Sequence, residues 1–340
     1  MENSLFTALK AQLSSPKKIV VIGHKNPDGD AVGSVGALSS FLKELGHDVT
    51  GMVPNDFPDF LKWMPTATSM DQFDKNPVRS SKLIETADFI FTLDFNDLSR
   101  VGRDMEKAFK DSNATFVMID HHQAPADYAK YTFSDASMGS TCEMVYHFID
   151  RLDKLTLIDA QIATNLYTGI MTDSGSFRFP ATSSTTHRVI ADLIDKGAQN
   201  TAIHQSVYDT NSPDRLKLLG IALNNLRVLP EYNTAFISLS QDDLESCNFK
   251  KGDTEGFVNY ALSIKDIKLA AIFIESRKDQ IIKISLRSKG AFSVNQLSRD
   301  HFQGGGHTNA AGGKSDKNLE DTVSEFISIL PHYKNALIDE

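Results

Sequence analysis

The chain has 340 residues, of which 41% are hydrophobic and 23% are charged, a composition typical of globular proteins with a buried core. This length predicts two domains. The formal net charge of −9 argues against a protein that coats long nucleic acid, because such binding needs many Lys and Arg contacts with phosphates. A short nucleotide in a local basic pocket is not excluded.

The first half of the chain alternates short β-branched runs with helical patterns. Residues 18–22, 89–93 and 115–119 are continuous apolar runs, typical of strands buried on both faces. Apolar residues from 32 to 45 recur at helical spacing, and Gly46 is placed to end that helix. Further helices are predicted from a Ser140–Thr141 cap to residue 149 and from 158 to about 173. This alternation predicts an α/β fold with a mostly parallel sheet covered by helices.

The second half begins with a helical, more polar stretch from about 185 to 229, which we interpret as a connecting segment. After Pro230 the pattern is typical of a smaller α+β domain. Its predicted elements are a strand at 234–239, a helix at 254–262, a hairpin of 269–275 with 280–287, a helix at 293–301, a Gly-rich turn and a helix at 319–330. The expected organisation is therefore a domain at 1–188, a helical linker at 189–229 and a second domain at 230–340.

Cysteine content and hydropathy bear on the compartment. Cys142 and Cys247 are far apart, which argues against a disulfide framework and a cysteine zinc site. The N-terminal segment carries its lysine pair after the apolar residues, the reverse of a signal peptide. Because no run of about 18 apolar residues occurs, we expect a cytoplasmic protein without a membrane partner.

The strongest chemical signal is the segment HKNPDGD at 24–30, directly after the first predicted strand. Ligands of open α/β sheets gather at the carboxyl ends of strands. One imidazole (His24) and two carboxylates (Asp28 and Asp30) on one loop suit a divalent cation. A solvated polar turn is the alternative for this segment taken alone.

Three further segments carry Asp or His where a predicted element ends. Asp94 follows the second strand directly, although a lone Asp there is also a common helix cap. Asp120 precedes two adjacent histidines after the third strand, and an acid there can fix the tautomer of a metal-bound imidazole. Asp173 ends a helix, where a carboxylate is unfavourable unless a positive group holds it. All four segments are expected to lie together at one edge of the predicted sheet, and this arrangement predicts a metal centre.

These four segments resemble motifs one to four of the DHH phosphoesterase superfamily, named for the triplet seen here as Asp120-His121-His122. The segment GGGH at 304–307, with Ala-Ala-Gly at 310–312, resembles the hallmark of the DHHA1 domain. The two-domain chain is similar to the bacterial nanoRNase/pAp-phosphatase group (oligoribonuclease-like, related to RecJ). The resemblance implies an N-terminal DHH domain, a C-terminal DHHA1 domain and an active site in the cleft between them.

The resemblance also implies two divalent cations, Mn²⁺ foremost, with Mg²⁺ and Co²⁺ as alternatives. Asp94 would bridge them. Asp97 competes for this role because Asp94 is not followed by the small residues expected, but Asp94 is preferred because it follows the strand directly. Two such cations can activate water and stabilise both oxygens of an in-line displacement. Asp120 would orient a neighbouring group, and His122 would face the phosphate or the leaving group. The implied ligands are His24, Asp28 and Asp94 for one ion, and Asp30, Asp94, His121 and Asp173 for the other.

Substrate specificity is expected from the second domain. Alternation along 280–287 places Arg287 on the face opposite three apolar residues, where an ordinary solvated strand face is the alternative. The resemblance implies that Arg287 and His307 contact the terminal phosphate or sugar. Gly305 and Gly306 could bring backbone N–H groups close to a phosphate. Arg178 is a further candidate.

The leading hypothesis is a Mn-dependent exonuclease or phosphatase that hydrolyses very short oligonucleotides or 3′-phosphoadenosine 5′-phosphate. A cyclic or linear dinucleotide phosphodiesterase, acting on c-di-AMP or pGpG, is the alternative. A pyrophosphatase or polyphosphatase is less favoured, since related pyrophosphatases carry a different C-terminal domain. An inactive nucleotide sensor and a zinc hydrolase are disfavoured by the complete carboxylate-rich ligand set. The expected partner is a short oligonucleotide or nucleotide, and the composition is compatible with a homodimer.

Overall fold

The computed structural model describes residues 3–338. It divides into two compact units, Met1–Thr210 and Asn211–Glu340, and each is built on a six-stranded sheet. None of the helices between residues 3 and 338 combines the length and the apolar composition that a membrane span requires.

The first unit is a parallel sheet in the order β3-β2-β1-β4-β5-β6. Its strands are β1 (Lys18–Ile22), β2 (Asp48–Val53), β3 (Asp71–Gln72), β4 (Phe89–Leu93), β5 (Thr115–Asp120) and β6 (Tyr131–Ser134). Its helices are α1 (Asn3–Gln12), α2 (Gly29–Glu44), α3 (Pro77–Glu85), α4 (Arg103–Phe109), α5 (Thr141–Arg151), α6 (Ala160–Asp173), α7 (Ser184–Asp195) and α8 (Asn200–Tyr208). The chain runs outward from β1 to β3 and then returns to β4, so the strand order reverses between β1 and β4.

The sheet of the first unit is covered on both faces, which explains why its central strands are continuously apolar. Val21 on β1 belongs to the large core formed with α2, α5 and α6, whereas its neighbour Val20 belongs to a second core with α3 and α4. The predicted parallel α/β arrangement of the first half is thereby confirmed.

The second unit is a mixed sheet in the order β11-β12-β10-β9-β8-β7. Its strands are β7 (Arg227–Leu229), β8 (Thr234–Leu239), β9 (Leu269–Ser276), β10 (Ile281–Ser288), β11 (Gly305–Gly306) and β12 (Ala310–Ser315). Its helices are α9 (Pro213–Asn224), α10 (Gln241–Ser246), α11 (Phe257–Leu262), α12 (Val294–His301) and α13 (Leu319–Ile338). β8 and β9 pair in parallel, and the other neighbours are antiparallel.

Two details of the predicted second half are wrong. The stretch expected to stay helical to residue 229 ends in β7, which pairs with β8 as an edge strand. The expected Gly-rich turn contains β12, whose Ala310 lies opposite Arg287 on β10. In both places the backbone is extended because the segment pairs with a neighbouring strand. Strand formation that depends on such pairing is not visible in the local sequence. The helices α7 and α8 lie in the first unit and α9 in the second.

Candidate metal centre

Three of the predicted segments meet at the carboxyl ends of β1, β4 and β5. His24 lies two residues after β1, Asp94 follows β4 directly, and Asp120 ends β5 just before His121 and His122. In a doubly wound sheet the reversal of strand order opens a crevice where ligands bind. Here that reversal lies between β1 and β4, so the topology gathers side chains that are distant in sequence at the expected crevice.

His24 and Asp28 form one side of this cluster. Asp28 caps α2: its Oδ1 accepts two N–H groups of the first helical turn at 3.1 and 3.0 Å, and its Oδ2 lies 3.7 Å from His24 Nε2. His24 Nδ1 lies 2.9 Å from the Lys25 carbonyl, which can only accept, so Nδ1 carries a proton and Nε2 faces the carboxylates. Although burial lowers it, the pKa of His24 is raised well above its ordinary value by Asp28 and Asp94. A proton and a cation therefore compete for Nε2.

Asp94 lies at the centre of the cluster and is only 2% exposed. Its backbone has a φ of +65°, a left-handed conformation that is uncommon for residues other than glycine and frequent at functional sites. Its Oδ2 lies 3.4 Å from His24 Nε2, and its Oδ1 lies 3.4 Å from His121 Nε2. Burial raises the pKa of this carboxyl, but His121 and His24 outweigh that effect and hold it well below the ordinary value. The two oxygens of Asp94 thus face two different imidazoles.

His121 links Asp94 to two further carboxylates. Its Nδ1 lies 3.1 Å from the Met138 carbonyl, and its Nε2 lies 3.4 Å from Asp173 Oδ2 and 3.9 Å from Asp30 Oδ2. Asp173 is the last residue of α6, where its charge opposes the helix dipole. Burial is the largest effect on Asp173, and although His121 opposes it, the pKa is raised to about 7.

These residues form overlapping groups whose ligand atoms lie within 4.8 Å of one another and could hold metal ions. Burial and the charges of Asp94 and Asp173 raise the pKa of Asp30 well above its ordinary value. Bound divalent cations would relieve the repulsion among these carboxylates. A mixed set of imidazole nitrogen and carboxylate oxygen suits first-row divalent metals. The donor set therefore fits such ions. The groups are His24, Asp28 and Asp94; Asp30, Asp94 and His121; and Asp94, Asp120 and His122.

Asp120 and His122 form a buried pair beside these groups. Asp120 Oδ1 lies 2.7 Å from His122 Nδ1, the geometry that an orienting carboxylate requires. Asp120 is completely buried, and its Oδ2 has no hydrogen-bond partner among residues 3–338. A buried acceptor left without a donor is costly, and such groups are common at functional sites.

Two predicted candidates are exposed and make local contacts of their own. Asp97 is exposed and caps the short helix Leu98–Val101 by accepting the Ser99 N–H at 2.9 Å. Of Asp94 and Asp97, Asp94 is therefore the one that lies among the imidazoles. Arg178 is also exposed, and its Nε donates to the Gly175 carbonyl at 2.8 Å in the turn that follows α6.

Thr141 is a contact of the cluster that sequence reasoning did not identify. Its Oγ1 donates to Asp94 Oδ1 at 3.1 Å, and its N–H donates to Asp30 Oδ2 at 2.6 Å. The N–H of Cys142 donates to the other Asp30 oxygen at 2.9 Å. The sequence shows Ser140–Thr141 as a helix start, but nothing local connects a helix start with residues 30 and 94.

Arg287 and His307 lie in the second unit. The predicted alternation of β10 is confirmed, with Ile282 and Ile284 buried and Arg287 half-buried on the other face. Arg287 lies opposite Ala310 on β12, and the N–H of His307 donates to the Ala310 carbonyl at 2.7 Å. Arg287 and His307, the two residues predicted to contact the substrate, are therefore both adjacent to Ala310.

The glycines before His307 have internal partners. The N–H of Gly306 donates to Asn295 Oδ1 at 3.0 Å, and that of Gly304 donates to the Ser298 carbonyl at 3.2 Å. A Cβ on Gly304 would collide with the Gly312 carbonyl. These glycines thus permit close strand packing, and the N–H of Gly306 is engaged within the unit. A phosphate contact of Gly305 and Gly306 stays a prediction.

Comparison with known proteins identifies both regions of the chain. Residues 18–170 match the DHH family, N-terminal domain, and residues 236–333 match the DHHA1 domain. The chain is 28% identical over 295 residues to a bifunctional oligoribonuclease and PAP phosphatase of Thermus thermophilus, covering 86% of this chain and 83% of the relative. It is 27% identical over 332 residues to a probable bifunctional oligoribonuclease and PAP phosphatase of Streptococcus mutans, covering 98% and 99%. The crystal structure of an exopolyphosphatase-related protein from Bacteroides fragilis is 38% identical, covers 99% of this chain and 98% of that one, and has a TM-score of 0.94.

The matched regions contain most of the predicted site residues, and Asp173 lies just beyond the end of the DHH match. The DHH match includes His24, Asp94 and His121, and the DHHA1 match includes Arg287 and His307. The chain belongs to the DHH/DHHA1 phosphoesterase family.

Proposed function

We propose that this protein is a Mn²⁺-dependent hydrolase of phosphate esters that cleaves very short oligonucleotides and 3′-phosphoadenosine 5′-phosphate. The observation that carries the proposal is Asp94, one buried carboxylate whose two oxygens face the imidazoles of different ligand groups. This is the arrangement expected of a ligand shared by two cations. The Thermus and Streptococcus relatives are named as oligoribonucleases and PAP phosphatases, which supports the substrate class.

The proposal assigns each predicted ligand to one of two cations that share Asp94. When bound, such a pair supplies Lewis acidity that activates water and stabilises the charge of an in-line displacement. The protein contributes fixed ligands: the α2 cap holds Asp28, and the Met138 carbonyl holds the ring of His121. His24, Asp28 and Asp94 would hold the first ion, and Asp30, Asp94, His121 and Asp173 would hold the second.

His122 and Asp120 act on the substrate side in this proposal. Because Asp120 Oδ1 lies within hydrogen-bond distance of His122 Nδ1, it keeps the ring in one orientation. His122 then contacts the phosphate or donates a proton to the leaving oxygen through Nε2. General acid catalysis of this kind contributes about 10²- to 10⁴-fold to a rate.

Substrate binding is assigned to hydrogen-bond donor side chains outside the metal cluster. Arg287 and His307 would bind the terminal phosphate or sugar, and Arg178 would add a further contact. Arg is suited to this role because its guanidinium can bind phosphate through two parallel hydrogen bonds. The net charge of −9 is compatible with a short substrate recognised at its end rather than along its length.

The test is a metal-reconstitution assay on the full chain. Protein stripped with EDTA is supplied with Mn²⁺, Mg²⁺ or Co²⁺ and assayed on 2- to 5-mer RNA, pAp, pGpG, c-di-AMP and polyphosphate. We expect no turnover after stripping and the highest kcat/KM with Mn²⁺ on short RNA or pAp. Equal activity before and after stripping would overturn metal dependence, and preference for c-di-AMP or polyphosphate would overturn the assigned substrate.

A further inference from the structure

The first turn of α5 touches both groups of predicted metal ligands. The Thr141 hydroxyl donates to Asp94 Oδ1, the oxygen that faces His121. The backbone N–H groups of Thr141 and Cys142 donate to the two oxygens of Asp30. One helical turn therefore contacts the central carboxylate and a second carboxylate of the cluster.

We propose that Thr141 is a positioning residue that fixes the orientation of the Asp94 carboxylate, so that its two oxygens serve two different cations. This inference rests on the proposed two-metal function and adds to it the residue that sets the geometry of the shared ligand. Thr141 itself is not a predicted metal ligand, and it acts through Asp94.

The geometry explains why a hydroxyl matters at this position. Asp94 Oδ2 lies near His24 and Oδ1 near His121, so rotation of the carboxylate about its Cβ–Cγ bond would disturb both contacts. The Thr141 hydroxyl bonds one of these oxygens and opposes that rotation. Thr141 is completely buried, so bulk water has no access to replace the hydroxyl if it is removed.

The helix start holds Asp30 by a second mechanism. Two backbone donors at the start of α5, the N–H groups of Thr141 and Cys142, hold the two oxygens of the Asp30 carboxylate in place. The Ser140 side chain caps α5 by accepting the Glu143 N–H at 3.1 Å, so the turn is itself fixed. The backbone contacts with Asp30 would survive substitution of the Thr141 side chain. A side-chain variant therefore isolates the contact with Asp94.

The experiment compares Thr141→Val, Thr141→Ser and the control Thr168→Val. Valine retains the shape of threonine and removes the hydroxyl, whereas serine retains the hydroxyl. Thr168 is likewise completely buried, but its hydroxyl donates to the Thr164 carbonyl within α6. The readouts are calorimetric titration of the metal-free protein with Mn²⁺, followed by kcat and KM on the substrate that wild type cleaves best.

Residues that orient metal ligands typically change metal affinity or activity by about 10- to 100-fold when they are replaced. We expect Thr141→Val to weaken at least one Mn²⁺ binding event by that factor and to lower kcat more than it changes KM. Thr141→Ser and Thr168→Val should stay within about threefold of wild type. Unchanged Mn²⁺ affinity in Thr141→Val, or an equal loss in Thr168→Val, would overturn the positioning role. Failure of wild type to bind two cations or to hydrolyse any substrate would instead refute the proposed function.

Discussion

The two units contain sheets of equal strand number but place their chemistry differently. In the parallel sheet of the first unit, β1, β4 and β5 end on the same side, and the loops after them carry His24, Asp94 and His121. In the mixed sheet of the second unit, neighbouring antiparallel strands end on opposite sides. Its predicted substrate contacts are Arg287 on a strand face and His307 beside a glycine segment.

This difference shows how topology constrains the type of site. Parallel strands bring short polar side chains from distant sequence positions to one edge, where a compact cation can be shared. An antiparallel sheet presents side chains across its face, which suits contact with an extended ligand. We therefore expect substitutions in the first unit to remove turnover, and those in the second to change substrate affinity or local stability.

The largest expected effect is that of Asp94→Asn. Loss of the central charge removes a ligand from both groups, so kcat should fall by about 1000-fold or more, equivalent to about 4 kcal/mol in the barrier. Steady-state kinetics and the bound Mn²⁺ content measure this effect. Asp97→Asn is the matched control, since Asp97 is exposed and asparagine also caps helices. Similar losses in both variants would contradict the distinction between Asp94 and Asp97.

A smaller effect is expected from Gly304→Ala in the second unit. The added methyl group would meet the Gly312 carbonyl and Ser298 Oγ, and overpacking of this kind costs about 1–3 kcal/mol. Hydrogen exchange should rise in peptides from β10 to β12 and stay unchanged around β1, β4 and β5. The control is Gly220→Ala on α9, where the methyl group meets no atom within 4 Å and should stabilise the helix by up to about 1 kcal/mol. Unaltered exchange in Gly304→Ala would show that close packing there is dispensable.

The smallest expected effect is that of Arg287→Gln. Loss of a phosphate contact should raise KM about tenfold with little change in kcat, because ground state and transition state lose the same interaction. Lys283→Gln tests the same strand face at an exposed position, where the lysine pairs with Asp279 at 2.6 Å, and should have no kinetic effect. A fall in kcat at unchanged KM in Arg287→Gln would place Arg287 in the chemical step instead.

Prediction from the sequence was most successful where one local signal dominated. The strands β1, β4 and β8 begin and end at the predicted residues, because each is a short apolar run with clear boundaries. Arg227–Leu229 and Ala310–Ser315 were less predictable, since the first is only three residues long and the second consists mostly of alanine and glycine, which are depleted in strands. Their extended backbone depends on strands that lie elsewhere in the sequence.

The amino-acid sequence already identifies the residue types that are available for a metal centre and the elements that they follow. His24, Asp28, Asp30, Asp94, Asp120, His121, His122 and Asp173 are all identifiable from motifs and strand ends. The contacts between atoms follow from the folded chain: the two oxygens of Asp94 face His24 and His121, and the Thr141 hydroxyl donates to one of them. The reason is physical. Local sequence sets propensity and pattern, whereas the distance between residues 94 and 141 depends on the packing of α5 against the parallel sheet.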